Sequence, residues 1–302
     1  MQRIPGIAAL LIALAAVPWV ARSQELDPRA YVPGPIGVNI VAVGYGNTSG
    51  DVVFDANSAI SDVKAEVDLA TVAGGRFFGL FGRQSSIVLG VPYAWGDVSG
   101  NVGESRQSVS RSGVGDPRLR LATMLYGGPA LERSEFAAFP RGLAVGTSLL
   151  VVLPVGQYYP EKLINIGSNR WAFKPEIGLT YPIGRWQLDA AAGVWLFQDN
   201  DDFFGGQYRE QDPIGSYQGH VSYTFRPGLW LAGDVTHYTG GTSSLDGVRN
   251  SDRQSNTRVG ATLSVPLAQG MSLKLAYSEG AVVRVGGDFR SVAITFQYAW
   301  FD

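Results

Sequence analysis

The chain has 302 residues, of which 45% are hydrophobic and 17% charged, with a formal net charge of −2 at pH 7. A soluble domain draws on about 25% charged residues, so many of these side chains face something other than water, and a near-neutral chain offers no basic surface to nucleic acid. With no cysteine and two histidines, disulfides, zinc–thiolate sites and a cysteine nucleophile are excluded.

At the N-terminus Arg3 precedes an uninterrupted apolar run, Ile7 to Val17, and Ala21-Arg22-Ser23 places small residues where a signal peptidase reads. The run is shorter than the roughly 20 residues of a spanning helix. The expected organisation is a signal peptide over 1–23 and one β-barrel over 24–302. The stretch QELDPRAYVPGP that follows is expected to be a flexible lead-in rather than a plug.

From there the pattern alternates with a period of two, the mark of strands whose faces meet different surroundings. Twelve such segments are expected: 36–46, 62–81, 84–96, 113–126, 141–154, 170–182, 185–198, 213–226, 228–239, 253–266, 270–283 and 288–301. In KAEVDLATVA, Lys64, Glu66 and Asp68 oppose Val63, Ala65, Val67 and Leu69. In WAFKPEIGLTY, Trp171, Phe173, Ile177, Leu179 and Tyr181 oppose Lys174 and Glu176, and in WQLDAAAGVWLF, Trp186, Leu188 and Val194 oppose Gln187 and Asp189. Most segments run to about 10–14 residues, which suits a tilted membrane strand of about 9–11 better than a soluble one of about 5–6.

The connections after segments 2, 6, 8 and 10 are tight, while those after 1, 3, 5, 7 and 9 are long and polar, such as DVSGNVGESRQSVSRS and QDNDDFFGGQYREQD. The fourth, 127–140, is longer than that rule allows, and the eleventh is short. Turns on one side and loops on the other are the habit of outer-membrane barrels. An even number of strands then puts both chain ends on the periplasmic side. The run GQYYPEKLINIGSNRWAFKPEIGLTY carries external loop 3, with Tyr158, Asn165, Asn169 and Arg170. Tyr93, Trp95 and Trp171 are expected at the outer headgroup level, and Tyr181, Trp186, Tyr298 and Trp300 at the inner one.

These signals converge on an all-β fold, a transmembrane antiparallel up-and-down β-barrel of about 12 strands in contact with outer-membrane lipids. In hydrocarbon every backbone amide must be paired within the protein, and a sheet achieves that only by closing. Apolar faces then look outward and polar faces inward. A soluble sandwich shows the same alternation with the opposite sense; strand length, aromatic placement, the export segment and the scarcity of charge favour the barrel.

Gly113-Val114-Gly115-Asp116-Pro117, Pro154-Val155-Gly156-Gln157-Tyr158, and Leu163, Asn165, Gly167, Ser168, Asn169, Arg170 and Trp171 form a recurrent set with Lys174-Pro175, Tyr238-Thr239-Gly240-Gly241, Asp246-Gly247, Asn256, Arg258-Val259-Gly260 and Gly286-Gly287-Asp288-Phe289. Together they resemble the bacterial family labelled MetA-pathway of phenol degradation, over essentially the whole mature chain. The resemblance implies an exported outer-membrane transporter tied by name to aromatic-compound catabolism. Barrels often end on an aromatic residue; this chain ends Trp300-Phe301-Asp302.

Parity places Lys64, Arg118, Arg120, Lys174, Arg258 and Lys274 in the lumen with Glu66, Asp68, Glu176, Asp189 and Asp234, and His220 on the same polar face. Burying them inside avoids about 2–4 kcal/mol for each basic residue at the lipid midplane. Two readings stay open: an interior salt-bridge network that rigidifies or blocks the barrel, and a charged constriction that sorts solutes. His237 is expected outward near the external edge, where an outer-membrane hydrolase would hold its base, but no serine in a neighbouring strand carries a motif. Asp199, Asp201 and Asp202 read as a solvated acidic loop rather than a calcium site. No catalytic residue, metal ligand or cofactor is assigned. The expected function is passive passage of small solutes, aromatic or hydrophobic ones among them, with a non-transporting barrel acting through its external loops as the alternative. The oligomeric state is left open.

Overall fold

Eleven of the twelve alternating segments each fall on one strand in the computed structural model, which describes residues 26–53, 60–102 and 105–302. The export segment expected over 1–23 lies outside the described residues. The strands are β1 (Val38–Val53), β2 (Ile60–Leu80), β3 (Arg83–Val102), β4 (Ser105–Val114), β5 (Arg118–Tyr126), β6 (Ala144–Val152), β7 (Ala172–Ile183), β8 (Trp186–Phe197), β9 (Asn200–Phe203), β10 (Gln207–Gln211), β11 (Ile214–Arg226), β12 (Leu229–Gly240), β13 (Ser243–Leu245), β14 (Val248–Arg249), β15 (Gln254–Ala268), β16 (Met271–Val282) and β17 (Gly286–Phe301). The expected segment 113–126 is interrupted: β4 pairs with the far half of β3, β5 with its near half, and Gly115–Pro117 lies between them.

Twelve of these strands close into one antiparallel sheet, β1-β2-β3-β5-β6-β7-β8-β11-β12-β15-β16-β17, with β17 returning to β1 from Val38↔Phe301 to Val53↔Gly286. Closure leaves no strand edge facing lipid. The polarity is inverted as a membrane requires. Val43, Val72, Ile177 and Val292 are more than half exposed on the outside, whereas Ser216, Ser222 and Thr236 inside are at most 1% exposed. That contrast removes the sandwich reading, since a sandwich would bury the valines.

Aromatic pairs mark two levels of the outer wall. Trp95 packs 6.2 Å from Tyr45 and 6.0 Å from Tyr93 toward the loop end. Trp186 meets Tyr223 at 4.9 Å, and Tyr298 meets Trp300 at 5.4 Å, toward the turn end. Ring side chains with polar tips favour the headgroup region.

The tight turns share the end where Val38 meets Phe301. Gly82, Gly184, Gly228 and Gly270 supply their positive φ of 74°, 60°, 79° and 73°. The long fourth connection at this end holds a short helix, α1 (Arg133–Ala138), started by a capping box between Glu132 and Glu135.

Three features depart from the expected layout. The long connections after β8 and β12 are not irregular loops but hairpins, β9–β10 and β13–β14, joined in a second sheet ordered β14-β13-β10-β9. Gly205-Gly206 and Asp246-Gly247 provide their turns, all four residues having positive φ. Second, β1 to β4 rise past the aromatic level as an extended ribbon, β2 alone having 21 residues. Third, the lead-in enters the lumen, where Tyr31 is 5% exposed. A segment with an aromatic ring and an arginine finds partners on the polar inner wall that water outside does not better.

Candidate functional site in the barrel lumen

The lumen is shaped first by residues 26–36. Leu26 packs against Gly260, where an added Cβ would stand 2.4 Å from it. Arg29 lies 4.5 Å over the Trp230 ring and donates to Ser222 Oγ at 3.0 Å and Thr224 Oγ1 at 2.7 Å. Tyr31 crosses to the opposite wall. Its ring rests on two glycines, Gly146 and Gly178, where a Cβ would come within 2.5 and 2.2 Å, so only residues without a side chain leave this notch. Its hydroxyl donates to Glu176 Oε1 at 2.8 Å and shares a hydrogen bond of 2.8 Å with Ser148 Oγ. The Arg120 guanidinium stacks 5.1 Å from the same ring. The segment then leaves along β3, with Gly34 N–H on Gln84 Oε1 at 2.9 Å.

Above this plug is a cavity of ≈ 110 Å³ lined by Asp27, Tyr31, Arg120, Lys174, Glu176, Asp189 and His220 among others. An ion pair and a histidine–carboxylate contact hold part of this charged wall. Lys174 Nζ is 2.6 Å from Glu176 Oε2, both side chains under 10% exposed. Gln218 Nε2 adds a third donor to Glu176 at 3.2 Å. His220 Nδ1 meets Asp234 Oδ1 at 2.7 Å, and Thr262 Oγ1 donates to Asp234 Oδ2 at 2.8 Å. Buried ions persist only where partners replace their water, and each of these carboxylates has more than one.

Lys174 Nζ also lies 5.8 Å from the Trp195 ring, and Trp195 belongs to a second cavity of ≈ 90 Å³ nearer the loop end. Its walls include the Trp195, Phe197, Tyr238 and Phe289 rings and the guanidiniums of Arg170, Arg209 and Arg258. Arg258 is 4% exposed, and its Nη2 donates to Ser278 Oγ at 3.1 Å and Phe289 O at 2.9 Å.

Loop 3 roofs this cavity. Asp116, in the turn between β4 and β5, takes the N–H of Gly156 at 3.0 Å and both the N–H and Oγ–H of Ser168, at 2.8 and 2.5 Å. Gly156 and Gly167 approach so closely that a Cβ on either would stand 2.7 Å from backbone. Asn165 accepts from Tyr159 N and donates to Tyr159 O and Lys162 O. Asn169, at φ 50°, donates to Asn200 Oδ1 at 2.9 Å, and Tyr158 O–H donates to Asp202 O. Arg170 stacks 4.7 Å from Phe197 and donates to Gln211 Oε1. Burial pushes the Tyr158 phenol up and the Arg209 guanidinium down from their ordinary values. The four loop-3 residues therefore hold the loop's own fold and seat it on the second sheet.

The structure brings Arg120, Lys174, Glu176, Asp189 and His220 around one cavity, with Asp234 bonded to His220, and places Arg258 at the other. Arg118 and Lys274 are half-buried on inward positions of β5 and β16. Lys64, Glu66 and Asp68 are a correction: they point outward. Lys64 and Glu66 are exposed, and Asp68 accepts from Tyr45 O–H at 2.5 Å and Asn47 Nδ2 at 3.0 Å on the outer surface. Their half of β2 stands above the lipid band, where water meets the outer face, so the alternation keeps its soluble sense and Val63 and Ala65 turn inward, 2% and 3% exposed. His237 faces outward with its Nδ1 on Thr257 Oγ1 at 2.9 Å. Tyr31, Arg29, Asp116, Trp195 and Phe289 carry the site without having been singled out for it. For Asp116 a signal existed, the GVGDP run; for Tyr31 none did, because a short polar-aromatic stretch reads the same in a linker.

No curated protein matches the chain. Among solved structures it is similar to the COG4313 outer membrane channel from Pseudomonas putida F1, with 22% identity, a TM-score of 0.76, and coverage of 91% of this chain and 100% of that one. It is also similar to the transport unit of the autotransporter AIDA-I from Escherichia coli, with 10% identity, a TM-score of 0.51 and full coverage of both chains. The barrel thus has the fold of these outer-membrane proteins. Residues 44–298 match the family described as "Putative MetA-pathway of phenol degradation", and with most of its length inside that match the chain belongs to this family.

Proposed function

We propose that the protein is a passive outer-membrane channel for small molecules with an apolar body, aromatic compounds among them, and that it does no chemistry on them. The observation that carries this reading is a closed barrel whose lumen holds two cavities, one walled by charged side chains that include the Lys174–Glu176 pair and one by aromatic rings. The family's name supports the aromatic class. Both chain ends and the tight turns face the periplasm in this reading, with the second sheet and loop 3 outside. The lumen-lining charges set polarity limits near the plug, and Lys174, beside Trp195, stands between the two cavities.

Planar-bilayer conductance, followed by liposome swelling with phenols and with sugars, tests it. Small conductance and faster swelling with phenols than with sugars of equal size are expected. A bilayer that stays sealed at high protein, with no swelling in any solute, overturns it.

A further inference from the structure

The loop-end cavity is more than a widening of the path. Four aromatic rings give it an apolar wall, and Arg258, Arg170 and Arg209 reach it against one lining carboxylate, Asp252. That carboxylate is engaged elsewhere, taking Ser243 N–H at 2.8 Å and Ser243 Oγ–H at 2.5 Å. Arg258 is the telling residue. It is 4% exposed, its Nη2 is committed to Ser278 and Phe289, and its Nε and Nη1 have no hydrogen-bond partner among the described residues. A buried guanidinium with two unmet donors is costly, and a carboxylate at the guanidinium's edge offsets that cost through a charge-assisted hydrogen bond. An aromatic wall beside that edge fits a flat apolar body.

We propose that this cavity is a binding site for small aromatic monocarboxylates, with Arg258 as the group that takes the carboxylate and Trp195 and Phe289 as the walls that take the ring. The inference rests on the channel reading and narrows its solute class. It also gives the lumen an order: the arginine site at the loop end is met first, and the charge-paired layer at Lys174 and Glu176 lies beyond it.

Calorimetric titration of the full-length protein in detergent micelles tests the site, with benzoate, benzyl alcohol and benzylamine as probes. Benzoate is expected to bind at least about tenfold more tightly than benzyl alcohol, the scale of a hydrogen bond to a charged group, and benzylamine not at all. This comparison uses the unaltered protein. Arg258→Gln is expected to bring benzoate to the level of benzyl alcohol, while Arg133→Gln, on the short helix at the turn end, leaves benzoate binding unchanged. Equal affinity for benzoate and benzyl alcohol, or undiminished benzoate binding in folded Arg258→Gln protein, overturns the proposal. If bilayers conduct but benzoate does not bind, the site fails and the channel stands; if benzoate binds and bilayers stay sealed, the channel fails and the site stands.

Discussion

Glu176 accepts from Tyr31, Gln218 and Lys174 at once, in a place where neither member of the ion pair sees much water. Removing one member leaves the other charged and buried, a loss of about 3–5 kcal/mol, while replacing both with apolar residues of similar volume is close to neutral. Glu176→Ala is therefore expected to lower unfolding free energy by about 3 kcal/mol in urea titrations, and Lys174→Met with Glu176→Leu to recover most of it; a double variant as unstable as the single one would contradict the pairing argument. Gly178 makes a second prediction. A valine there collides with the Tyr31 ring, already 2.2 Å from a first added carbon, so Gly178→Val is expected to displace the ring and raise single-channel conductance, as Tyr31→Ala does. Unchanged conductance in both variants would mean that Tyr31 does not obstruct the path. At the roof, Asp116→Ala deletes three hydrogen bonds to loop 3 and is expected to speed tryptic cleavage after Lys162 severalfold, with the barrel itself still resistant.

At the scale of elements, the lead-in behaves as an inserted plug, and a variant lacking residues 26–35 is expected to conduct more than one carrying Tyr31→Ala alone, because Arg29 and Leu26 anchor the segment on the other wall. Equal conductance of the two would place the whole obstruction at the ring. The barrel strands were legible because a lipid-facing wall imposes strict alternation over ten or more residues, as in WQLDAAAGVWLF. The shorter elements were not. β9 and β10 have four and five residues and lie in polar sequence, too brief for a period to show, although Asp246-Gly247 and Gly205-Gly206 carried turn chemistry. Parity located Lys174, Glu176, Asp189, His220, Asp234 and Arg258 on the inner wall, and it misplaced Lys64, Glu66 and Asp68 because a repeat of two says which residues share a face but not what solvent that face meets. Tyr31 and Asp116 act through contacts 117 and 52 positions away, and no local pattern encodes a distant notch or latch.

For the molecule as a whole, the inverted polarity sets what the outer wall tolerates. Val72 is 56% exposed beside Val43 and Val91 in the apolar band. Val72→Arg is expected to cost about 2–4 kcal/mol for folding into lipid vesicles, the scale for a basic residue near the midplane, and a neutral result in vesicles would deny that this face touches hydrocarbon. At the seam, β17 returns to β1 over the full length of both strands. The two strands it joins are the first and last of the barrel to be synthesised. Until the final sixteen residues of β17 arrive, β1 has an unmated flank that oil would reject and that a neighbouring chain would gladly zip onto. The cylinder therefore cannot seal before both of these strands are present, and the flank of β1 needs cover until they meet.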